Sequence, residues 1–361
     1  MSNSFIIDFL QVGSSKSGDA ITIKTVVDGV SEVHIVDGGY QFTGEKICEH
    51  IEEHYGVTHR INRVIVTHND GDHAGGLRTI LEKYKVDELW MLRPWEYADE
   101  LIERFKRWTN VDNLKKHLQE LYSNLYALEQ IALEKGIPIK EPFQGKQIGN
   151  FRVLWPSRES YINLVADSDK TPDTYSESAI AGTESVFGSF KKAVSRLMAA
   201  LWGEESFPAS DTSEENNMSI IQYASIDGRN ILLTGDAGRL ALNGAAQYAI
   251  SIYGKVPQIT DFQVPHHGSR HNVDTEVLDV WLGRKLDRPY AAGEYKFRSV
   301  ISASKEDEDH PKKVVVRAIK HRGGKVSTTE DGPYAFTYNM EERKGWGPAS
   351  DLPYPEEQEA V

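Results

Sequence analysis

The most constraining feature of this 361-residue sequence is a dense group of metal-ligand side chains directly after a short apolar strand. The strand is predicted at residues 63–67, and His68, Asp70, Asp72 and His73 follow it within six positions. Glycines come next, which allow the backbone to turn tightly before a helix begins. A divalent cation needs several nitrogen and oxygen donors that converge on one point, and a loop at a strand end can direct alternate side chains there. The sequence therefore predicts a fold in which strand ends meet around a cation.

Three later segments carry further donors for such a site. Asp236 follows a glycine at the end of one predicted strand, His266 and His267 follow another, and His310 follows a third. Each of these signals is weak alone, because a Gly-Asp turn or a single histidine is common at a protein surface. Their joint position after strands favours one shared site, since functional side chains concentrate in the loops that a rigid scaffold holds.

Strand-like runs dominate the rest of the chain. The predicted strands are residues 5–10, 20–27, 32–36, 63–67, 219–224, 230–234, 261–264, 299–302 and 325–327. Their apolar and β-branched residues alternate or form short runs between turn residues, which is typical of buried strands. A helix is predicted over residues 44–55.

A helical insertion is predicted over residues 95–136. Its apolar seam consists of Leu114, Leu118, Leu121, Leu125 and Leu128, with Asp112 as the expected N-cap. One alternative is that these helices pack on their own domain. The other is a helical hairpin that covers the active site, contacts a partner protein or mediates self-association.

A second, polar insertion is predicted over residues 157–215, with a helical segment near residues 190–202. We expect mobile loops here. Residues 341–361 are acidic and contain three prolines, so we expect a loosely held tail. The domain organisation predicted from these features is one domain over residues 1–340, enlarged by the two insertions, followed by the tail.

Four motifs in order give the chain a recognisable resemblance. They are Asp37-Gly38-Gly39, His68-x-Asp70-x-Asp72-His73, Gly235-Asp236 and His266-His267-Gly268-Ser269. This set resembles the metallo-β-lactamase superfamily, and it is most similar to the branch typified by the metal-dependent domain of the DNA-uptake protein ComEC. The resemblance spans roughly residues 5–337. It implies an α/β fold, a four-layer αβ/βα sandwich with the site at one edge of two facing sheets.

The resemblance also implies roles for individual residues. His68 and Asp70 would bind one ion, Asp72 and His73 a second, and Asp236 would bridge them. His267 or His266 would complete the second site. Asp37, Asn217 and Ser269 would orient ligands. Asp72 or Asp236 would accept the proton released from water, and His310, or alternatively Ser269 or Lys305, would contact the scissile phosphate.

The implied cofactors are two divalent metal ions. In the wider superfamily a further histidine precedes the bridging aspartate, but residues 216–219 here read Asn-Asn-Met-Ser. Fewer imidazoles and more carboxylates shift the preference from zinc towards manganese or magnesium. Zinc is kept as the alternative.

Composition narrows the classes of protein that remain. A formal net charge of -13 argues against a broad electropositive surface for nucleic acid or anionic lipid, although not against a local groove. The single cysteine, Cys48, excludes an internal disulfide framework and a thiolate zinc cluster. No apolar run is long enough to cross a bilayer and no secretory signal is visible, so we expect a cytoplasmic protein without a membrane partner.

These features predict a metal-dependent hydrolase of phosphodiester bonds, a nuclease or phosphodiesterase. The residues themselves indicate only a metal hydrolase, and the resemblance to ComEC supplies the nucleic-acid part. One alternative is hydrolysis of a small ester, a lactone or a cyclic nucleotide, because one fold supports many chemistries. Another is a partner-dependent effector subunit of a defence or stress system.

Overall fold

The first half of the chain and one late strand form a seven-stranded sheet. The computed structural model describes residues 2–13, 15–57, 59–105, 108–168, 197–291 and 293–360. The sheet order is β15 (Tyr334–Tyr338), β1 (Ser4–Phe9), β2 (Ala20–Val27), β3 (Val30–Gly38), β4 (Arg60–Ile65), β5 (Lys85–Trp90) and β6 (Ile139–Lys140). The strands from β15 to β3 pair antiparallel, and those from β3 to β6 pair parallel.

The second half forms another seven-stranded sheet. Its order is β14 (Gly324–Thr328), β13 (Phe297–Ile301), β12 (Asp261–Gln263), β11 (Arg229–Leu233), β10 (Ile221–Ile226), β8 (Phe151–Trp155) and β7 (Gln147–Ile148). The strands β11 to β14 are parallel to one another, and the remaining pairs are antiparallel. Each predicted strand has a counterpart in one of the two sheets.

Several strands were not predicted from the sequence, among them β5, β8 and β15. The sequence of β5, Lys-Val-Asp-Glu-Leu-Trp, has three charged residues in six, so its apolar pattern is weak. Its conformation comes from pairing with β4 over five aligned residue pairs. Pairing with a neighbour thus overrides a poor local signal, as is common for strands.

Helices connect the strands. They are α1 (Thr43–Tyr55), α2 (Gly71–Ala74), α3 (Leu77–Lys83), α4 (Ala98–Leu101), α5 (Val111–Leu121), α6 (Ser123–Lys135), α7 (Arg158–Asp167), α8 (Glu214–Asn217), α9 (Arg239–Tyr253), α10 (Thr275–Leu282) and α11 (Lys313–His321). Short 3-10 turns occur at Pro94–Tyr97, Ile102–Arg104 and His266–Gly268. Within the described ranges, no helix is both long enough and apolar enough to span a membrane.

The two sheets face each other across an apolar layer. Alternation along β1 places Phe5, Ile7 and Phe9 in this layer, where they join Val153 and Leu233 of the second sheet. The opposite faces pack against helices: α1 contacts β2 and β3, α9 contacts β8 and β10, and α11 contacts β14. The predicted α/β sandwich, with helices outside two facing sheets, is confirmed.

The leucine seam of the first insertion is buried within the chain itself. Four of its leucines are at most 4% exposed, and Leu121 is half-buried. The seam lies on two helices, α5 and α6, that meet at Tyr122, and the side chain of Asn110 caps α5. The prediction of Asp112 as the N-cap was therefore wrong. Docking of a partner on this insertion stays a prediction, and these buried leucines are not its contact surface.

The second insertion and the tail pack on each other. Of the helix predicted near residues 190–202, residues 190–196 lie outside the described residues, and residues 197–199 form a strand. This strand, β9 (Leu197–Ala199), pairs with β16 (Glu357–Glu359) in the tail. The prediction of a loosely held tail was wrong, because the Glu359 carboxylate accepts hydrogen bonds from the backbone N–H groups of Lys313 and Val314. These are unpaired donors of the first turn of α11, which a carboxylate caps favourably.

Candidate metal centre

Side chains that can bind a cation converge at the edge of the sandwich where strands of both sheets end. His68 follows β4 of the first sheet, and α2 carries Asp72 and His73. Asp236 follows β11 of the second sheet, and the His266–Gly268 turn follows β12. Segments far apart in sequence thus meet because their strands end at the same edge.

Hydrogen bonds at Nδ1 orient two of the histidines. His73 Nδ1 lies 2.8 Å from Asp37 Oδ2, and His267 Nδ1 lies 2.9 Å from the carbonyl oxygen of Ser302. A carboxylate and a carbonyl can only accept, so each imidazole donates from Nδ1, and its Nε2 is the nitrogen left for a cation once any proton there is released. Such partners are typical of histidines that bind metals.

His68 has the same orientation through a hydroxyl. The Thr67 hydroxyl donates to Asp37 Oδ2 at 2.6 Å, and the Thr67 backbone N–H donates to Asp37 Oδ1 at 2.8 Å. Because its proton is engaged there, Thr67 Oγ1 accepts from His68 Nδ1, which is 3.0 Å away. Asp37 therefore contacts His73 directly and His68 through Thr67.

The Nε2 atoms point towards the carboxylates at the centre. Asp236 Oδ1 lies 3.2 Å from Nε2 of His73, and Asp236 Oδ2 lies 3.9 Å from Nε2 of His68. Asp70 Oδ2 lies 3.8 Å from the same atom of His68. On the other side, His267 Nε2 is 3.5 Å from Asp72 Oδ2 and 3.9 Å from Asp236 Oδ2. Asp236 is thus the shared carboxylate of both groups.

The two consecutive histidines both approach Asp236 but differ in their other partners. Both have left-handed backbone angles, with φ of 46° at His266 and 55° at His267, which separates their side chains. His266 Nε2 lies 3.6 Å from Asp236 Oδ2, while its Nδ1 lies 2.9 Å from Asn272 Oδ1. Of the two, His267 is the one that also lies beside Asp72, with 3.5 Å between its Nε2 and Asp72 Oδ2.

Buried polar atoms without partners show that these residues fit a cation. Among the described residues, no hydrogen bond reaches the following buried atoms of the cluster: His68 Nε2, His73 Nε2, His267 Nε2, Asp236 Oδ1 and Asp19 Oδ1. Buried polar groups are nearly always paired, because an unpaired one costs about 1–3 kcal/mol. Three imidazole lone pairs and two carboxylate oxygens directed at one place are the donor set of a divalent cation.

The electrostatics of the cation-free cluster point the same way. Burial opposes protonation of His73, but the charges of Asp236 and Asp72 outweigh it and raise the pKa well above its usual value. Burial likewise opposes protonation of His267, yet Asp236 and the Asp72 carboxylate, 3.5 Å from its Nε2, raise its pKa to about 9. The histidines in turn hold the pKa of Asp236 well below its usual value, although its burial acts in the opposite direction. Positive charge is therefore strongly favoured inside the cluster.

His310 lies beside the two consecutive histidines. Its ring centroid is 5.7 Å from that of His266 and 6.1 Å from that of His267. Its Nδ1 is 3.2 Å from Asp307 Oδ2, which also accepts hydrogen bonds from the backbone N–H and the hydroxyl of Ser17. The structure therefore brings His310 to the rim of the centre, with Nδ1 engaged by Asp307.

Other predicted residues lie elsewhere. Asn217 does not face the cluster: its side chain contacts Asp211 and accepts a hydrogen bond from the backbone N–H of Ala241, in the first turn of α9. Lys305 is exposed and pairs with Asp331 at 2.8 Å. Ser269 is buried in the turn after His267, and its hydroxyl oxygen lies 3.4 Å from the backbone nitrogen of His271.

The sequence reasoning missed residues that complete the centre. Asp19 is buried beside His73, and the Asn272 side chain joins His266 to the backbone carbonyl of Asp236. Asn216, not Asn217, contacts His266, with 3.2 Å between its Nδ2 and the ring Nδ1. Asp19 had a signal in its Gly-Asp-Ala context. Asn216 adjoins the predicted Asn217, whereas Asn272 had no signal, since only the fold brings it near His266.

Comparison with known proteins agrees with this architecture. The sequence profile described as "Metallo-beta-lactamase superfamily" matches residues 26–130, which contain the His68–His73 cluster. No curated protein sequence matches the chain. Among solved structures, the chain is similar to the one titled "Crystal structure of hydrolase AbOPH in beta lactamase superfamily". The match covers 65% of this chain and 70% of the AbOPH chain, with 6% sequence identity and a TM-score of 0.30. Residues 26–130 therefore carry the metallo-beta-lactamase superfamily pattern, and the two-sheet α/β fold around them is consistent with that superfamily.

Proposed function

We propose that this chain is a metal-dependent hydrolase that cleaves phosphodiester bonds, as a nuclease or phosphodiesterase. The observation that carries the hydrolase part is the set of buried, unpaired donor atoms that converge around Asp236. The phosphodiester part is supported by His310 at the rim of the centre and by the sequence resemblance to the ComEC type. We also propose that the protein acts in the cytoplasm.

We assign the donors to two positions that share Asp236, as the resemblance implies. His68 and Asp70 belong to one position, and Asp72, His73 and His267 belong to the other. His73 lies between the two, because its ligand atom is also within 4.8 Å of those of His68 and Asp236. Two bound divalent ions would activate a water molecule and polarise a phosphoryl oxygen. The mixture of carboxylates and imidazoles suits manganese or zinc, with magnesium as the hardest alternative.

The chain itself holds these donors ready. Asp37 and Ser302 fix the protons of His73 and His267 on Nδ1, so that Nε2 is available without rearrangement. Asp72 is the better placed of the two candidate proton acceptors, because 26% of its side chain is exposed against 3% for Asp236. A proton accepted by Asp72 can therefore pass to solvent.

His310 would bind the substrate at the rim. Because Asp307 engages its Nδ1, its Nε2 is left to contact a phosphoryl oxygen or the leaving oxygen. Ser17 holds Asp307 from the loop that precedes β2, so the contact is supported from the first sheet as well. We infer that His310 positions the scissile phosphate.

The test is hydrolysis by metal-loaded protein. Protein stripped of metal and reloaded with Mn²⁺, Zn²⁺ or Mg²⁺ should cleave bis-p-nitrophenyl phosphate and at least one of single-stranded DNA, double-stranded DNA or RNA. The double variant Asp72→Ala/His73→Ala should lose this activity and keep its fold by circular dichroism, whereas Lys305→Ala, on the exposed surface, should keep both. Cleavage of esters or lactones without any phosphodiester cleavage would refute the proposed substrate class.

A further inference from the structure

One buried carboxylate at the centre is not among the ligands proposed so far. Asp19 directly precedes β2 and is 1% exposed. Its backbone N–H donates to the carbonyl oxygen of Asp72 at 3.0 Å, and a side chain at Gly18 would place its Cβ 2.7 Å from that same oxygen. The segment before β2 is thus packed tightly against the loop that carries a predicted ligand.

One oxygen of Asp19 is fixed by the second sheet. Its Oδ2 accepts a hydrogen bond of 2.8 Å from Gln263 Nε2. The amide oxygen of Gln263 accepts from the backbone N–H of Thr234 at 2.9 Å, so the amide group can only direct its N–H₂ at Asp19. The loop that precedes Asp236 therefore determines the orientation of this carboxylate.

The other oxygen has no hydrogen-bond partner among the described residues. Asp19 Oδ1 is buried, and a ligand atom of Asp19 lies within 4.8 Å of ligand atoms of Asp236 and His267. Asp19 does not orient His73, because His73 Nδ1 is 3.8 Å from Asp19 Oδ2 and already donates to Asp37. Burial raises the pKa of the Asp19 carboxyl, while His73, His267 and the Ser302 side chain act to lower it. The ionised carboxylate therefore needs positive charge beside it, which a bound cation supplies.

We propose that Asp19 is a ligand of the cation held by Asp72, His73 and His267. Together with the shared Asp236, the position that includes Asp19 then has five protein donors. The other position has three, which are His68, Asp70 and Asp236. The two positions are therefore unequal: the Asp19 position fills first and binds its ion more tightly. This inference rests on the metal-binding part of the proposed function.

The variant Asp19→Asn separates ligation from a structural role by comparing stability with and without cations. Without cations, Asp19 is attracted by His73 and His267 and repelled by Asp236, and asparagine removes both kinds of interaction, so the variant should stay close to the wild type in thermal stability. With cations, it should gain less stability, because stabilisation by a ligand follows its affinity. A purely structural Asp19 would instead lower the stability of the cation-free protein.

The experiment is calorimetric titration of metal-free protein with Mn²⁺, combined with thermal unfolding with and without Mn²⁺. We expect two binding phases in the wild type. In Asp19→Asn the tight phase should be weakened by at least about tenfold, because loss of a group that only hydrogen-bonds to a metal ligand already lowers affinity by about that much. Asp307→Asn is the matched control, because it removes a carboxylate near the centre but outside the donor set, and it should bind both ions normally. Asp19→Ala, whose side chain has no polar group to face the Gln263 amide, should weaken the same phase.

Wild-type affinity for both ions in Asp19→Asn and Asp19→Ala would overturn this inference and leave the proposed hydrolase intact. A loss confined to the weak phase would overturn it as well. Failure of the wild-type protein to bind any divalent ion would instead refute the proposed function itself.

Discussion

Substitution of Asp37 by Asn is expected to weaken cation binding without unfolding the protein. Asp37 is fully buried and adopts a left-handed φ of 56°. Asparagine is the best replacement, because it has nearly the same volume and tolerates this backbone conformation. The change therefore acts mainly on the hydrogen bonds that Asp37 accepts.

Three donors converge on the two oxygens of Asp37: the backbone N–H and hydroxyl of Thr67, and Nδ1–H of His73. An Asn side chain has one carbonyl oxygen, so in either orientation its N–H₂ group faces at least one of these donors. Each hydrogen bond to a charged group contributes about 1.5–3 kcal/mol. Loss of such an orienting partner lowers metal affinity by about 10- to 100-fold, which corresponds to about 1.4–2.7 kcal/mol.

The assay is titration of metal-free Asp37→Asn with Mn²⁺ or Zn²⁺, with urea unfolding as a check of the fold. Asp261→Asn is the matched control: Asp261 is equally buried, but it pairs with Arg229 and Arg298 in the second sheet. The control should lose stability and keep its cation affinity. Unchanged affinity for both ions in a folded Asp37→Asn protein would refute the claim that Asp37 prepares His73 for ligation.

Three further predictions concern pH and the tail. His267 has a pKa of about 9 without cations, so cation binding at pH 7 should release protons, and the affinity should increase as the pH rises towards 9. Calorimetry in buffers of different ionisation enthalpy measures the number of protons released, and binding without proton release would contradict the prediction. Burial would raise the pKa of Glu205, but hydrogen bonds from His321 and Arg322 outweigh it and hold the pKa at about 2, below its ordinary 4.5. The stability that Glu205 contributes is therefore complete above about pH 4.5 and is lost as the pH falls towards 2. In urea unfolding, Glu205→Gln should be less stable than the wild type at pH 7 and approach it in acid, and a difference that does not change with pH would contradict this. Glu359→Ala removes the cap of α11 and should cost about 0.5–2 kcal/mol in the same assay, with faster proteolysis of the tail; unaltered stability would show that the cap is dispensable.

Local sequence was sufficient to predict the first part of the centre. The group from His68 to His73 follows a strand and precedes a helix, and its residues are close in space because they are close in the chain. The same kind of local reasoning worked for the predicted strands, each of which has a counterpart in one of the two sheets. Asp236 and the consecutive histidines were found because ligand-type residues stand out directly after strands.

Tertiary pairing decided what local patterns left open. Nothing in the sequence distinguishes His266 from His267, and only the end of β13 supplies the Ser302 carbonyl that orients the latter. The tail reads as disordered by composition, yet Glu359 meets unpaired N–H groups of α11. A charged residue is held in place when a distant segment presents the complementary group, which composition does not reveal.

The sequence by itself thus determined which residue types can bind a cation and that they follow strands, because ligand chemistry and strand periodicity are local properties. Only the tertiary structure decided which donors face each other. It moved Asn217 away to the start of α9 and brought in Asp19, nearly fifty residues before His68, with an oxygen that lacks a partner. The physical reason is that a metal centre is a convergence of strand ends from two sheets, and that convergence is fixed by how the sheets pack.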